Sequence, residues 1–421
     1  MFGIDEWDWQ AGKKCVVDIS QIKSQYQRVD ELSVSSDGEK VAAPVQLEDG
    51  SFTACVNGSA WPHRFELLWY LRFSPTGDPV ALARTDDEWT LVVDGKPWES
   101  RFEYAWNPKF SADGRSVAVL YKRDDEFGVA IDDQDWEEGF TSIRDYSLSP
   151  DGKQAAATVQ TARLKEADIT GFFEGVWSVA VNGRLWDTKF INAWNPVFSS
   201  DGSSVAAEIR TDVCDYSIAV DADSWSERFG CVWSPVFRPG TQRVIAPVRE
   251  SGMWTLVENG ARLWERRYNM LWGQKFSPDG GRLAAVASPH FGRWTIVIDD
   301  TPWESTFGDM VVAPVFSPDG RRVATIVKDD NHWSIAVDGK VWNDHFEMIW
   351  DPVFSPDGQH VLAKAERSGR YSVVVDGKVS RESYQALWDP CFSMDGAKIL
   401  LRFVTDDKYY RHVIPASELL R

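Results

Sequence analysis

Residues 313–350, APVFSPDGRRVATIVKDDNHWSIAVDGKVWNDHFEMIW, contain four strand signals separated by three turn signals. The first strand, Pro314 to Ser317, runs into Ser-Pro-Asp-Gly, which matches a type I turn with Ser first, Pro second and Gly last. The second, Arg322 to Lys328, alternates and stops at the polar cluster Asp329-Asp330-Asn331. The third contains Trp333 to Val337 and closes on Asp338-Gly339, a dipeptide that accepts the positive φ angles of a type I′ hairpin. The fourth carries Trp342, Phe346 and Trp350.

Four antiparallel strands in about 40 residues make one blade of a β-propeller when the unit repeats, and here it does. Aligned on the Phe of Phe-Ser-Pro-Asp-Gly, the anchors are Val34, Phe73, Phe110, Leu148, Phe198, Phe237, Phe276, Phe316, Phe354 and Phe392. Their spacings are 39, 37, 38, 50, 39, 39, 40, 38 and 38, so one unit alone is enlarged. The fold expected is therefore all-β: a propeller of about ten four-stranded units of about 38 residues. Ten units make one large ring or two smaller ones, and the lack of any Pro/Gly/Ser-rich linker favours a single array.

The ends bear on closure. The tenth unit stops soon after Tyr409 to Ile414, short of a full outer strand. Residues 1–33, with strand-like Lys14 to Asp18 and Tyr26 to Ser33, have no blade of their own. The expectation is that these N-terminal strands close the ring against the C-terminal unit, with the repeats occupying 34–421.

Three aromatic columns run through the units. One opens the third strand: Phe52, Trp89, Phe127, Trp177, Tyr216, Trp254, Trp294, Trp333 and Tyr371. The second is a Trp followed four residues later by Phe or Tyr, from Trp61/Phe65 to Trp342/Phe346, with Ser380/Tyr384 as the unit lacking its Trp. Both read as packing, because Trp buries a large area at blade contacts. The third precedes each anchor as Trp69, Trp106, Trp194, Trp233, Trp272, Trp350 and Trp388, broken at Ile143 and Val312. It lies where the chain crosses to the next blade, and these Trp are candidate partner-binding residues.

The enlarged unit carries an insertion, TARLKEADITGFFEG, at 161–175. Long excursions in compact repeats tend to be functional, which makes Phe172 and Phe173 candidate contacts. Asp86-Asp87-Glu88, Asp124-Asp125-Glu126, Asp329-Asp330 and Asp406-Asp407 fall on the same rim. They read as solvated turns paired with neighbouring cations, or as an acidic docking ring.

Composition excludes several classes. The net charge is −19, which argues against general binding to nucleic acid or anionic membranes. Five scattered cysteines without a C-x-x-C pair argue against a disulfide framework and fit a reducing compartment. The six histidines lack ligand spacing, and neither a Gly-rich phosphate loop nor Gly-x-Ser-x-Gly occurs. No catalytic, cofactor or metal residues are assigned, and a non-enzyme is expected. With no basic leader and no apolar span, a cytoplasmic protein is expected.

The Phe-Ser-Pro-Asp-Gly anchors resemble TolB-like and WD40-like propeller repeats over nearly the whole chain. Val-Asp-Gly-Lys-x-Trp at Val93 to Trp98 and Val337 to Trp342, with 22 Trp in all, is similar to the tryptophan-rich subunit of the Tmc transmembrane electron-transfer complex of sulfate-reducing bacteria. That resemblance implies a cofactor-free cytoplasmic scaffold, peripheral to the inner membrane, beside iron–sulfur and membrane cytochrome b subunits. The alternative is a free-standing propeller that binds a peptide, glycan or small molecule.

Overall fold

The structure, a computed structural model, describes residues 3–419. Its sheets are ten blades of an all-β propeller, nine of them built from strands that follow one another along the chain and the tenth completed by an N-terminal strand. Blade 3 is representative, with Tyr104–Phe110, Val117–Arg123, Glu126–Ile131 and the two-residue Gln134–Asp135. Its second strand is buried continuously from Val117 to Tyr121, as expected of a strand covered on both faces. The chain divides into two compact units: residues 1–73, 77–79 and 272–421, and residues 74–76 and 80–271. The first holds blades 1, 8, 9 and 10 entire, and the second blades 3 to 6.

The tenth blade is completed by the N-terminus. Gly12–Asp18 pairs antiparallel with Lys408–Pro415, Gly12 opposite Val413 and Asp18 opposite Lys408. Among the described residues before Val34, this strand closes the blade, and Trp7 and Trp9 pack against the blade at Cys391, Leu400 and Val413. Arg28–Val29 and Ser33–Val34, within the segment also expected to do so, pair instead with Val41–Gln46 as the first strand of blade 1. The reason lies in the helix Ile19–Gln25, which buries Ile19 and Ile22 and carries the chain from one blade to the next. Two buried arginines of blade 10 reinforce the junction. Arg402 Nη1 donates to the Ser35 and Ser36 carbonyls at 3.0 and 3.1 Å, and Arg411 Nε to that of Asp37 at 2.8 Å.

The turn chemistry follows the sequence motifs. In Ser-Pro-Asp-Gly at Ser317, the Ser hydroxyl donates to Asp319 at 2.6 Å and accepts the Arg322 N–H at 2.9 Å, while Asp319 accepts the Arg321 N–H at 3.1 Å. In the hairpin closing the third strand, Asp338 has φ +50° and its carboxylate accepts the Val323 N–H at 2.9 Å. Asn57, Asp132, Asn182, Asp221, Asn259, Asp299 and Asp376 make the same bond to the second strand of their own blades. A short acceptor that tolerates positive φ is what this position requires.

The Trp/aromatic spacing of four has a backbone cause. The outer strand pairs for two residues, departs through a loop at the Trp, and returns for one bridge at the aromatic, as in Phe127 with Phe140 and Trp333 with Phe346. Two carbonyls in the loop are then left to a side chain. Ser217 Oγ donates to those of Trp225 and Glu227 at 3.4 and 2.9 Å, and Ser334 Oγ to those of Trp342 and Asp344 at 3.2 and 3.1 Å. Thr53, Thr90, Ser178, Thr255 and Thr295 supply the hydroxyl in other blades. Blade 3 has Gly128 there, and Tyr121 Oη reaches the Trp136 carbonyl at 3.4 Å instead. A Cβ on Gly128 would fall 2.4 Å from the Tyr121 ring, so the glycine makes room for the substitute donor.

The outer Trp expectation holds. Trp61, Trp98, Trp136, Trp225, Trp264 and Trp342 are buried. At three seams the turn glycine of the next blade lies over the indole: a Cβ would stand 3.5 Å from Trp136 at Gly183, 3.4 Å from Trp303 at Gly339 and 3.0 Å from Trp342 at Gly377. The Trp therefore seals the seam between consecutive blades.

Two outcomes test this account. Gly128→Ser alone should destabilise by about 1–3 kcal/mol through overpacking, whereas adding Tyr121→Val should recover much of that loss, a coupling that denaturant unfolding measures. The Asp carboxyls of the Ser-x-Asp-Gly turns, among them Asp113, Asp151, Asp279, Asp319, Asp357 and Asp395, are held below the usual range, first by the Ser hydroxyl and then by backbone N–H groups. The unfolded chain then takes up these protons first, so their stabilisation is complete above about pH 4 and drains as the pH falls through the folded values. The urea midpoint should drop below about pH 4, and less steeply in a Ser277→Ala/Ser317→Ala variant.

Candidate functional site

The crossing Trp do not line the rim as separate side chains. Trp106, Trp194, Trp233, Trp272, Trp350 and Trp388 each face the third-strand aromatic of their own blade. The ring centroids lie 6.0 Å from Phe127, 6.3 Å from Tyr216, 5.4 Å from Trp254, 4.7 Å from Trp294, 5.7 Å from Tyr371 and 5.7 Å from Tyr409. The first and third columns are thus one feature, because first and third strands start at the same end of a blade and these positions share a sheet face. None of these crossing Trp is buried, and Trp69 and Trp233 are the most open at 52% and 40% exposure. Past the Trp, Asn107 and Asn195 have positive φ, and the strand register shifts by a bulge.

Register corrects the break assigned to Ile143. Ala105 pairs with Tyr121 and Ile143 with Val159, so Ile143 matches Ala105, and Arg144 takes the Trp position of blade 4. Arg144 lies over Trp177 at 4.2 Å and over Trp194 at 5.2 Å, a guanidinium in place of an indole. Lys364 similarly covers Trp350 at 4.0 Å. Next to Trp194, the buried Glu208 accepts from Asn195 Nδ2 at 2.6 Å, and burial pushes its carboxyl up. Sequence inspection missed Glu208, since its neighbours lie on other strands. Among the described residues, no three His, Cys, Asp or Glu are grouped to hold a metal ion.

The insertion forms the helix Ile169–Glu174, N-capped by Asp168, which accepts the Gly171 N–H at 2.9 Å. Its return is tight: Gly175 has φ +84°, and a Cβ there would stand 2.7 Å from the Phe190 backbone. No helix residue is buried, and Ile169 and Phe173 are 68% and 50% exposed. Phe172 is half-buried, with Phe173 edge-on at 5.4 Å and the Arg210 guanidinium 5.9 Å from its ring. Arg210 also donates to the Val213 carbonyl at 2.6 Å, joining the helix to a blade 5 turn whose Val213 is exposed. The two candidate phenylalanines are therefore brought together, and the Arg210 guanidinium beside Phe172 also lies 5.7 Å from the ring of Tyr216, the partner of Trp194.

Two cavities open along the seam of blades 3 and 4. One of about 1040 Å³ is walled by Trp136, Glu137 and Glu138 against Lys153, Arg184 and Trp186. Another, of about 500 Å³, shares Glu138 and Leu185 with it and reaches Asp124, Asp125 and the insertion's Arg163. The acidic turns pair with cations, two within the same hairpin and two from a neighbouring element. Arg84 pairs with Asp87, Lys122 with Asp125 at 2.8 Å, Lys23 with Asp407 at 3.0 Å and Arg293 with Asp329 at 3.5 Å. These exposed pairs serve the turns and contribute little to stability.

No protein-family model matches this sequence, and no curated protein sequence matches it. Solved structures do match in shape. A crystal structure described as the eukaryotic initiation factor has a TM-score of 0.49 and 14% identity, covering 78% of this chain and 90% of its own. A structure described as the Dos1 propeller has a TM-score of 0.34 and 11% identity, covering 96% of this chain and 95% of its own.

Proposed function

We propose that this chain is a non-catalytic, cofactor-free docking scaffold that presents the Thr161–Gly175 insertion to a partner protein. The observation that carries this reading is the inserted helix, capped by Asp168, with Ile169 and Phe173 exposed on a segment held against the blade at Gly175 and Arg210. Apolar side chains on a fixed support lose little conformational freedom on binding, which is what a contact hot spot needs. The Trp pairs of the crossing end supply further half-exposed aromatic surface.

The finer proposal places the scaffold in the cytoplasm, peripheral to the inner membrane, with iron–sulfur and membrane cytochrome b subunits of an electron-transfer complex as partners. Its support is the Trp-rich repeat alone. No described helix is long and apolar enough to cross a membrane, so attachment in this proposal runs through those partners. The second reading, a free-standing propeller for a peptide, glycan or small molecule, is favoured by the 1040 Å³ cavity between Trp136 and Trp186.

Co-purification from native membranes distinguishes them. The intact chain should bring down haem or iron–sulfur proteins, and deleting Ala162 to Glu174 should cut recovery about tenfold, equivalent to about 1.4 kcal/mol. Far-UV circular dichroism should stay unchanged. Equal recovery after the deletion removes the insertion from docking, and a chain that always elutes alone sinks the scaffold reading.

A further inference from the structure

The unit that lacks its Trp leaves a space. In blade 8 the outer Trp342 donates its backbone N–H to the Ile335 carbonyl at 2.9 Å, and its indole joins Val361, Ala363 and Val374 of blade 9 in one apolar cluster. Ser380 of blade 9 makes the corresponding backbone bond to the Val373 carbonyl at 2.8 Å. Strand register identifies what faces it. Phe354 pairs with Val361 as Phe392 pairs with Ile399, and Ala363 pairs with Val374 as Leu401 pairs with His412. An indole at position 380 would thus meet Ile399, Leu401 and His412.

A cavity of about 500 Å³ occupies this place, lined by Val375, Ser380, Tyr384, Leu401, His412 and Ile414. Leu401 is larger than the Ala363 of the preceding seam, yet the space persists. The walls are apolar and buried at Tyr384, Leu401 and Ile414, whereas the rim carries the exposed charges Lys378, Arg381, Glu382 and Glu418. Tyr384 Oη already donates to Glu382 at 2.8 Å, so it faces the space mainly with its ring.

We infer that the seam of blades 9 and 10 is a binding site for a flat aromatic group of indole size. The other seams show the occupant: the unit places an indole at this position in eight blades, from Trp61 to Trp342. An aromatic guest removes apolar wall from water without disturbing a strand, which is the source of its affinity. Two sources present this chemistry, a Trp side chain of a partner and a free small aromatic. The site is independent of docking through the insertion.

Titration calorimetry with indole, and separately with N-acetyl-tryptophanamide, tests it. Saturable indole binding and a raised Tm are expected for the intact chain, unchanged after deletion of Ala162 to Glu174. Ser380→Trp, which supplies the guest covalently, should weaken binding at least about tenfold, or 1.4 kcal/mol, while Ser380→Ala should bind as the parent does. Should Ser380→Trp fail to fold, Leu401→Phe narrows the same space and should lower affinity. Binding of both probes identifies a protein side chain as the source, and of indole alone a free ligand. Indole heats that do not saturate, or affinity untouched by both filling substitutions, overturn the proposal.

Discussion

The seam between consecutive blades is the constraint on which the rest depends. The middle strands of a blade are buried on both faces, as Val117 to Tyr121 show, so no blade buries its own apolar surface alone. Outer Trp side chains such as Trp136, Trp303 and Trp342 answer this locally, each overlaid by the turn of the following blade. The end blade meets the same demand with borrowed chain. Gly12–Asp18 supplies the fourth strand, and Val17 lies 3.8 Å from a Cβ placed on Gly58, where an indole would otherwise sit.

A second layer of order comes from backbone groups that the short outer strand leaves unpaired. A buried carbonyl without a donor is costly, and a Ser or Thr hydroxyl on the third strand meets that need in most blades. Blade 3 shows that the donor matters more than the residue, since Tyr121 and Gly128 together replace a single hydroxyl. The turn carboxylates follow the same logic at the opposite end of the strands, where the Ser-x-Asp contacts fix hairpins that open water would otherwise loosen.

Departures from the repeat carry the functional argument. The insertion breaks the period, Arg144 replaces a crossing Trp, and Ser380 replaces an outer one. Each departure leaves its own feature: an outward apolar helix, a guanidinium over two indoles, or a socket where an indole would sit. Regular positions are explained by packing, so these exceptions hold most of the information about what the scaffold meets.

Most of the fold was legible in the sequence because turn motifs and strand alternation are local. Ser-Pro-Asp-Gly and Asp-Gly specify backbone angles from residues a few positions apart, and their recurrence alone defines ten blades. The insertion was legible as a break in spacing. The partner of each aromatic was not, since Trp194 and Tyr216 meet across an intervening strand, and Ile143 rather than Arg144 was read as the interruption until strand pairing set the register. Nor could sequence assign Tyr26 to Ser33, whose fate depended on a short helix carrying the chain past the closing strand. The sequence by itself determined the blade, its period and its turns, through short-range backbone chemistry. Only the tertiary structure decided which blade the N-terminus completes, where Phe172 and Phe173 stand and that Ser380 leaves a cavity, because these depend on side chains far apart in the chain filling, or failing to fill, the same space.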